Sequence, residues 1–259
     1  MKKLCALAFC ASLLLVGGCK KKEATTEVAP ALTPEQKKGM VSDIFIAVNK
    51  RDYETAHRLI LKYLDLYPGD SEVVSFKLML ADIAYEQGKY AEAYEAYCHF
   101  QEYYPADPHS EYVAYKAAHA KFNQANHVTC DSTPVEKTLE LCKAYLARRD
   151  YVRYRTQMED LERTCQRNLL DKELYVVNSY LNQRRYASAR HRLTFISQKF
   201  DLEENGKDHY LLCMAKLAKA ENNTEELSRV VDDLHAEYPQ SQCTAMADRL
   251  AGRKGLLFG

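Results

Sequence analysis

Tryptophan is absent from this 259-residue chain, glycine and proline number only 9 and 7, and the formal net charge is zero. So few backbone breakers, with alanine, leucine, glutamate and lysine plentiful, favour helices. A neutral chain lacks the basic excess expected of a nucleic-acid binder. No apolar run approaches the ~20 residues that a membrane-spanning helix requires; the longest, Leu4 to Val16, has 13. There is no glycine-rich phosphate loop, nucleophile elbow or paired-histidine motif. The expectation is therefore a non-enzymatic protein without a cofactor. What the chain has in abundance is tyrosine, 19 residues.

The N-terminus reads MKKLCALAFCASLLLVGGC. Lys2 and Lys3 precede an apolar stretch of signal-peptide length, and small residues lead to Cys19. Val16-Gly17-Gly18-Cys19 resembles the lipobox of bacterial lipoproteins, in which the cysteine thiol takes a diacylglycerol and the peptidase cuts before it. Several acyl chains on one residue give a stable anchor, whereas one chain holds only marginally. Residue 20 is lysine rather than the aspartate of inner-membrane lipoproteins, so the resemblance implies the outer membrane, on its periplasmic face. Lys20 to Leu32 is polar, small and proline-containing, a flexible tether spanning ~45 Å at most.

Three later segments look alike: 51–71, 88–108 and 222–242. Their slots align at Ala56, Ala93 and Leu227, then four residues on at Ile60, Tyr97 and Val231, then seven on at Tyr63, Phe100 and Leu234. A Tyr-Pro pair follows each time, ending at Pro68, Pro105 and Pro239. Spacings of 0, +4 and +7 place three side chains on one helical face, and proline ends the helix. The pattern resembles the second half of the tetratricopeptide repeat. Partner helices are expected from Thr33-Pro34-Glu35-Gln36, a capping box, through Val48; from Ser71, as N-cap, to Gln87; from Asp107-Pro108 through Phe122; and from a second capping box at Thr133 through Ala147. Tyr151 to Arg184 holds no Pro or Gly and reads as one long helix or two nearly continuous ones. Helices over 186–200, 208–220, 225–238 and 241–250 complete the series, with a turn at Asn205-Gly206. The expected fold is all-α, a right-handed superhelical solenoid of about five helix pairs with a C-terminal capping helix. Residues 1–18 form the signal peptide, 19–33 the lipidated cysteine and tether, 34–252 the repeat domain and 253–259 a short tail.

Charge is segregated along the chain. Asp52 to Tyr115 carries 12 acidic and 4 basic residues; Arg148 to Arg192 carries 11 basic and 6 acidic. The arginine block, with Arg184, Arg185, Arg190 and Arg192 on one hairpin, is a candidate contact for an acidic partner, because guanidinium pairs bidentately with carboxylate. Its competing reading is a solvated face of i,i+4 pairs. Tyr85, Tyr112 and Tyr115 fall on first helices of their hairpins and could grip extended peptides with C-terminal aromatics, against the alternative of packing between hairpins. His209 and Cys213, or His119, His127 and Cys130, could share a metal, but neither set has a CxxC partner and no metal is expected. Among the six cysteines beyond Cys19, Cys213 and Cys243 lie in early turns of successive first helices. They are the favoured disulfide pair, buried free thiols being the alternative.

The passage EAYCHFQEYYPADPHSEYVAYKAAHAKF (95–122), with Tyr112 and Tyr115, and the passage YLNQRRYASARHRL (180–193), with Arg192, resemble the BamD family of outer-membrane lipoproteins. So does the combination of lipobox, tether and five irregular repeat pairs. The chain departs from that family in having Ala117-Ala118 where a glycine is usual, in lacking Tyr-Pro in its third repeat and in its extra cysteines. The resemblance implies a subunit of the β-barrel assembly machinery. Its C-terminal half would bind the periplasmic domains of the barrel-forming assembly protein, and its N-terminal half unfolded outer-membrane proteins. A tetratricopeptide-repeat lipoprotein that recruits peptidoglycan or cell-division factors is the alternative.

Cys19→Ala should abolish acylation and leave the chain soluble or uncleaved. Mass spectrometry of the wild-type mature N-terminus checks this; an unmodified Cys19, or cleavage elsewhere, contradicts the lipobox reading.

Overall fold

A computed structural model describes residues 33–125 and 131–253, with side chains at 204 and 205 excepted. The signal peptide, Cys19, the tether, His127, Cys130 and the tail beyond Arg253 lie outside the described residues. Twelve helices follow one another: α1 (Pro34–Asn49), α2 (Tyr53–Leu66), α3 (Glu72–Glu86), α4 (Tyr90–Tyr103), α5 (Ser110–Asn123), α6 (Thr133–Ala147), α7 (Arg155–Asn182), α8 (Tyr186–Lys199), α9 (Leu202–Asn205), α10 (Lys207–Ala220), α11 (Thr224–Glu237) and α12 (Gln242–Ala251). No strand occurs among the described residues. The pairs α1/α2, α3/α4, α5/α6, α7/α8 and α10/α11, with α12 as cap, form a helical repeat solenoid. The expected five pairs and capping helix are there. The one-turn α9 is an addition that the sequence reading did not contain.

The nine aligned slots are all buried. Ala56, Ala93, Ile60, Tyr97, Val231, Tyr63 and Leu234 are fully enclosed, and Leu227 and Phe100 nearly so. The third and fourth pairs lack the Tyr-Pro, yet α8 keeps the same face: Ala189, Leu193 and Ile196, spaced 0, +4 and +7, are buried as well. Tyr67, Tyr104 and Tyr238 end their helices with closely matching backbones, φ between −132° and −129° and ψ between 53° and 58°. The following proline drives each of them out of the helical region.

The core is divided into five clusters, each joining one hairpin to the next first helix. The first combines Ile44, Ile60, Tyr63 and Phe76 from α1, α2 and α3. The second takes Ala81, Tyr97, Phe100 and Ala117 from α3, α4 and α5. The third runs from Ala118 through Cys142 and Tyr145 to Met158 and Cys165. The fourth holds Leu170, Val177, Leu193 and Leu217, and the last Leu212, Val231, Leu234 and Ala247. α12 stands where another first helix would stand, and its burial closes the stack.

Helix starts differ in detail from expectation. Thr33 forms its capping box: its hydroxyl accepts the Gln36 N–H at 3.3 Å, and the Gln36 side chain accepts the Thr33 N–H at 2.8 Å. Ser71 does not cap α3; the Asp70 carboxylate accepts the Glu72 N–H at 3.0 Å instead. The second box is displaced as well, because Thr133 is already helical and its N–H goes to Asp131 at 2.9 Å. Asp107-Pro108 belongs to the turn before α5, which starts at Ser110. Asp70 also accepts the Tyr63 hydroxyl at 2.7 Å and pairs with Lys37. Chiefly that lysine holds its carboxyl down at about 2.

Inside the four hairpins whose turns are fully described, the residue at the equivalent place is left-handed: Arg51 (φ 57°), Gly88 (74°), Arg184 (58°) and Asn222 (58°). Glycine occupies only one of these four turns, although a side chain there costs roughly 1–2 kcal/mol.

Phe76 is fully buried, edge-on to Tyr63 with ring centroids 4.8 Å apart, while Phe45 is 45% exposed. Phe76→Ala should cost about 3–5 kcal/mol, and Phe45→Ala less than about 1 kcal/mol. Urea unfolding followed by circular dichroism distinguishes them; similar losses contradict the packing.

Candidate partner-binding surfaces

Tyr85, Tyr112 and Tyr115, predicted as gripping residues, are brought together on α3 and α5 and are half-buried. Asp82, one turn before Tyr85, organises them. Its Oδ1 accepts the Tyr97 hydroxyl at 2.6 Å and the Tyr112 hydroxyl at 2.9 Å, linking α4 and α5 to α3. The Tyr85 hydroxyl accepts the Asn123 amide at 3.1 Å, and the Lys116 ammonium lies 3.5 Å above the Tyr85 ring. Tyr115 stacks on Tyr154 at 4.4 Å with rings 15° apart, which extends the series to the start of α7. Two of the three hydroxyls are thus spent internally, Lys116 covers the Tyr85 ring and Tyr154 one face of Tyr115, so the surface offers only the uncovered parts of the rings. Burial raises the Asp82 carboxyl against the opposing pull of the two tyrosine donors, and burial lowers the Lys116 ammonium. His119, beside Tyr115, is lowered by burial and then by Lys116.

Asp82, Lys116, Asn123 and Tyr154 were not foreseen. A lone acid inside the apolar run LMLADIAY was the available signal for Asp82. The others depend on contacts between repeats, which one sequence does not display.

The arginine block proves heterogeneous. Arg190 makes ion pairs with Glu221 and Glu226, the latter at 2.9 Å. Arg192 pairs with Glu173 at 3.0 Å. Arg148, Arg155, Arg163 and Arg167 pair with Asp150, Glu159, Asp160 and Asp171. Arg184 and Arg185 are exposed in the α7–α8 turn, Arg185 lying over the Tyr180 ring at 5.1 Å. Arg149 and Arg153 are exposed before α7. The 28 residues of α7 separate these two places by about 42 Å at 1.5 Å per residue. The block is therefore two small basic ends joined by a largely self-neutralised helix.

The disulfide expected between Cys213 and Cys243 is not formed; both are free buried thiols. Each turns toward the hairpin before its own helix. Cys213 packs with Leu170 and Leu193, its sulfur 3.5 Å from the Asn178 amide, and Cys243 packs with Leu212 and Val231. They sit in separate core clusters, one repeat apart. His209 accordingly meets Cys243 rather than Cys213.

The YfiO family model, described as an outer membrane lipoprotein, matches residues 36–229. The chain belongs to that family. Its match begins in α1 and ends in α11, so the family signature spans all five hairpins of this outer-membrane lipoprotein. No curated protein matches the sequence. A tetratricopeptide repeat protein from Parabacteroides merdae is similar, at 19% identity over 85% of this chain and 75% of that one, with a TM-score of 0.35. The pilF protein of Pseudomonas aeruginosa is 14% identical over 82% of this chain and 96% of its own, with a TM-score of 0.27. No described helix is long and apolar enough to cross a membrane.

Because its folded value is raised, Asp82 favours the folded state most when protonated. The contribution of Asp82 to stability should fall as pH rises from the unfolded value of ~3.9 through the raised folded value, then level off. Asp82→Asn removes that slope while keeping an acceptor for both tyrosines. Urea midpoints across pH, compared between wild type and Asp82→Asn, test it; parallel curves contradict it.

Proposed function

We propose that this lipoprotein is a non-enzymatic subunit of the outer-membrane β-barrel assembly machinery, held by acylated Cys19 on the periplasmic face. In this reading the hairpins α7/α8 and α10/α11 bind the barrel-forming assembly protein through its periplasmic repeat domains. The tyrosine face of α3 and α5 receives unfolded outer-membrane proteins. The observation that carries the reading is the family match from α1 into α11. The half-buried, partly accessible rings of Tyr85, Tyr112 and Tyr115 suit extended chains with aromatic ends, offering apolar area at low entropic cost. Arg184 supports the assignment of the other face. It holds a left-handed turn that glycine would occupy without strain, and it is exposed beside Arg185. Arg51 holds the same backbone in the first hairpin, so it is the turn's place in the C-terminal half, not its conformation, that assigns it to this partner.

Pull-down of the tagged lipoprotein from detergent-solubilised membranes should recover a large barrel protein with periplasmic repeat domains. Recovery of cell-wall hydrolases or division factors in its place contradicts the reading and favours a peptidoglycan scaffold. Arg184→Gly should hold or raise stability by up to about 1 kcal/mol. With Arg185→Glu added, association should weaken about tenfold, roughly 1.4 kcal/mol. Unchanged affinity at low salt would show that this turn is only solvated.

A further inference from the structure

Three metal-ligating side chains meet at the seam between α10 and the capping helix α12. Asp208 and His209 occupy the first turn of α10, and Cys243 the first turn of α12. A carboxylate oxygen of Asp208, a ring nitrogen of His209 and the sulfur of Cys243 all lie within 4.8 Å of one another. Around a tetrahedral zinc, with bonds of about 2.0–2.3 Å, such atoms stand roughly 3.3–3.6 Å apart. His209 Nδ1 and Asp208 Oδ1, 2.9 Å apart, would open by about 0.5 Å, and any pair at the 4.8 Å limit would close by roughly 1 Å.

We propose that Asp208, His209 and Cys243 form a binding site for a divalent transition metal, zinc by its donor set, which fastens α12 to α10. The ligand chemistry is of the borderline-soft kind, one thiolate, one imidazole and one carboxylate. Two anionic ligands match the charge of the dication. On binding, the Cys243 thiol gives its proton to solvent, a sulfur–metal bond replaces the S–H bond, and no electron moves. The surroundings supply an outer shell. The Ser241 hydroxyl donates to the second Asp208 oxygen at 2.7 Å, and Ser241 also accepts the Cys243 N–H at 3.1 Å. Such partners orient ligating carboxylates. His209 is the exposed member, Asp208 is half-buried and Cys243 is buried, so the ion would enter from the histidine side. The fourth position would remain open to water or to a side chain of a partner.

One cation opposes the site. Arg167 approaches His209 Nδ1 at 3.2 Å, while the same nitrogen lies 2.9 Å from Asp208 Oδ1. A single ring nitrogen cannot accept from the guanidinium and donate to the carboxylate together. The metal resolves that conflict by taking the nitrogen lone pair, and Arg167 turns towards Asp171, 3.5 Å away on α7. The two helix N-termini also repel a cation, which the paired anionic ligands must outweigh.

The test uses the full lipoprotein in detergent, reduced and stripped with chelator. Cobalt(II) alone is titrated and followed by thiolate-to-cobalt charge-transfer absorption, then displaced by zinc. One equivalent should bind. Cys243→Ser and His209→Ala should each weaken binding at least tenfold, while Cys213→Ser leaves it unchanged. Arg167→Gln should bind several-fold more tightly. Zinc should raise the thermal midpoint of wild type and not of Cys243→Ser, which circular dichroism shows to be folded. Absence of a thiolate band in wild type, or equal affinity in Cys243→Ser, overturns the site. An Arg167→Gln variant that binds no more tightly overturns His209 Nδ1 as a ligand.

Discussion

No hairpin in this chain can bury its own apolar face; each depends on the first helix of the next. Phe76 completes the cluster of Ile44, Ile60 and Tyr63 from the preceding pair, while Ala81 and Ala84, on the other side of the same helix, serve the following one. A first helix therefore carries two apolar faces, and a second helix needs only one. Among the second helices, α2 and α11 show a strong single-sided stripe, whereas α4 and α8 are patterned as weakly as the first helices α3 and α5. The face that α10 and α11 leave is covered by α12 through Cys243 and Ala247.

This division decides what the sequence could disclose. The second helices, with one face to bury and a proline behind them, are legible as Ala56-Ile60-Tyr63 and its two copies. Their burial is complete where the pattern says so. In α8 the proline is gone, but the 0, +4, +7 spacing at Ala189, Leu193 and Ile196 remains, so local periodicity is the more durable of the two signals. Helix starts were less legible because neighbouring residues compete for one N–H. Asp70 displaces Ser71, and Asp131 displaces Thr133.

The candidate surfaces were legible only in part, and the reason is distance along the chain. Arg190 reaches Glu221 and Glu226 across 31 and 36 residues, and Arg192 reaches Glu173 across 19. A local count of charges sees a basic block where the fold has already neutralised much of it. The tyrosines fare better, since Tyr85, Tyr112 and Tyr115 do converge. Asp82 and Lys116, which hold them, come from facing helices. Cys213 and Cys243 show the opposite error: similar places in successive helices suggested a bond, yet similarity of place sets them one repeat apart.

On the proposed reading, the tyrosine face near α3 and α5 and the exposed arginine turn at the start of α8 are two separate places that hold chains of different character. Site-specific photo-crosslinking in living cells tests that most directly. A photoreactive residue at position 115 should capture a range of outer-membrane proteins in transit, and one at position 184 a single large barrel-forming protein. The same partner at both positions, or adducts only with cell-wall enzymes, would contradict the account.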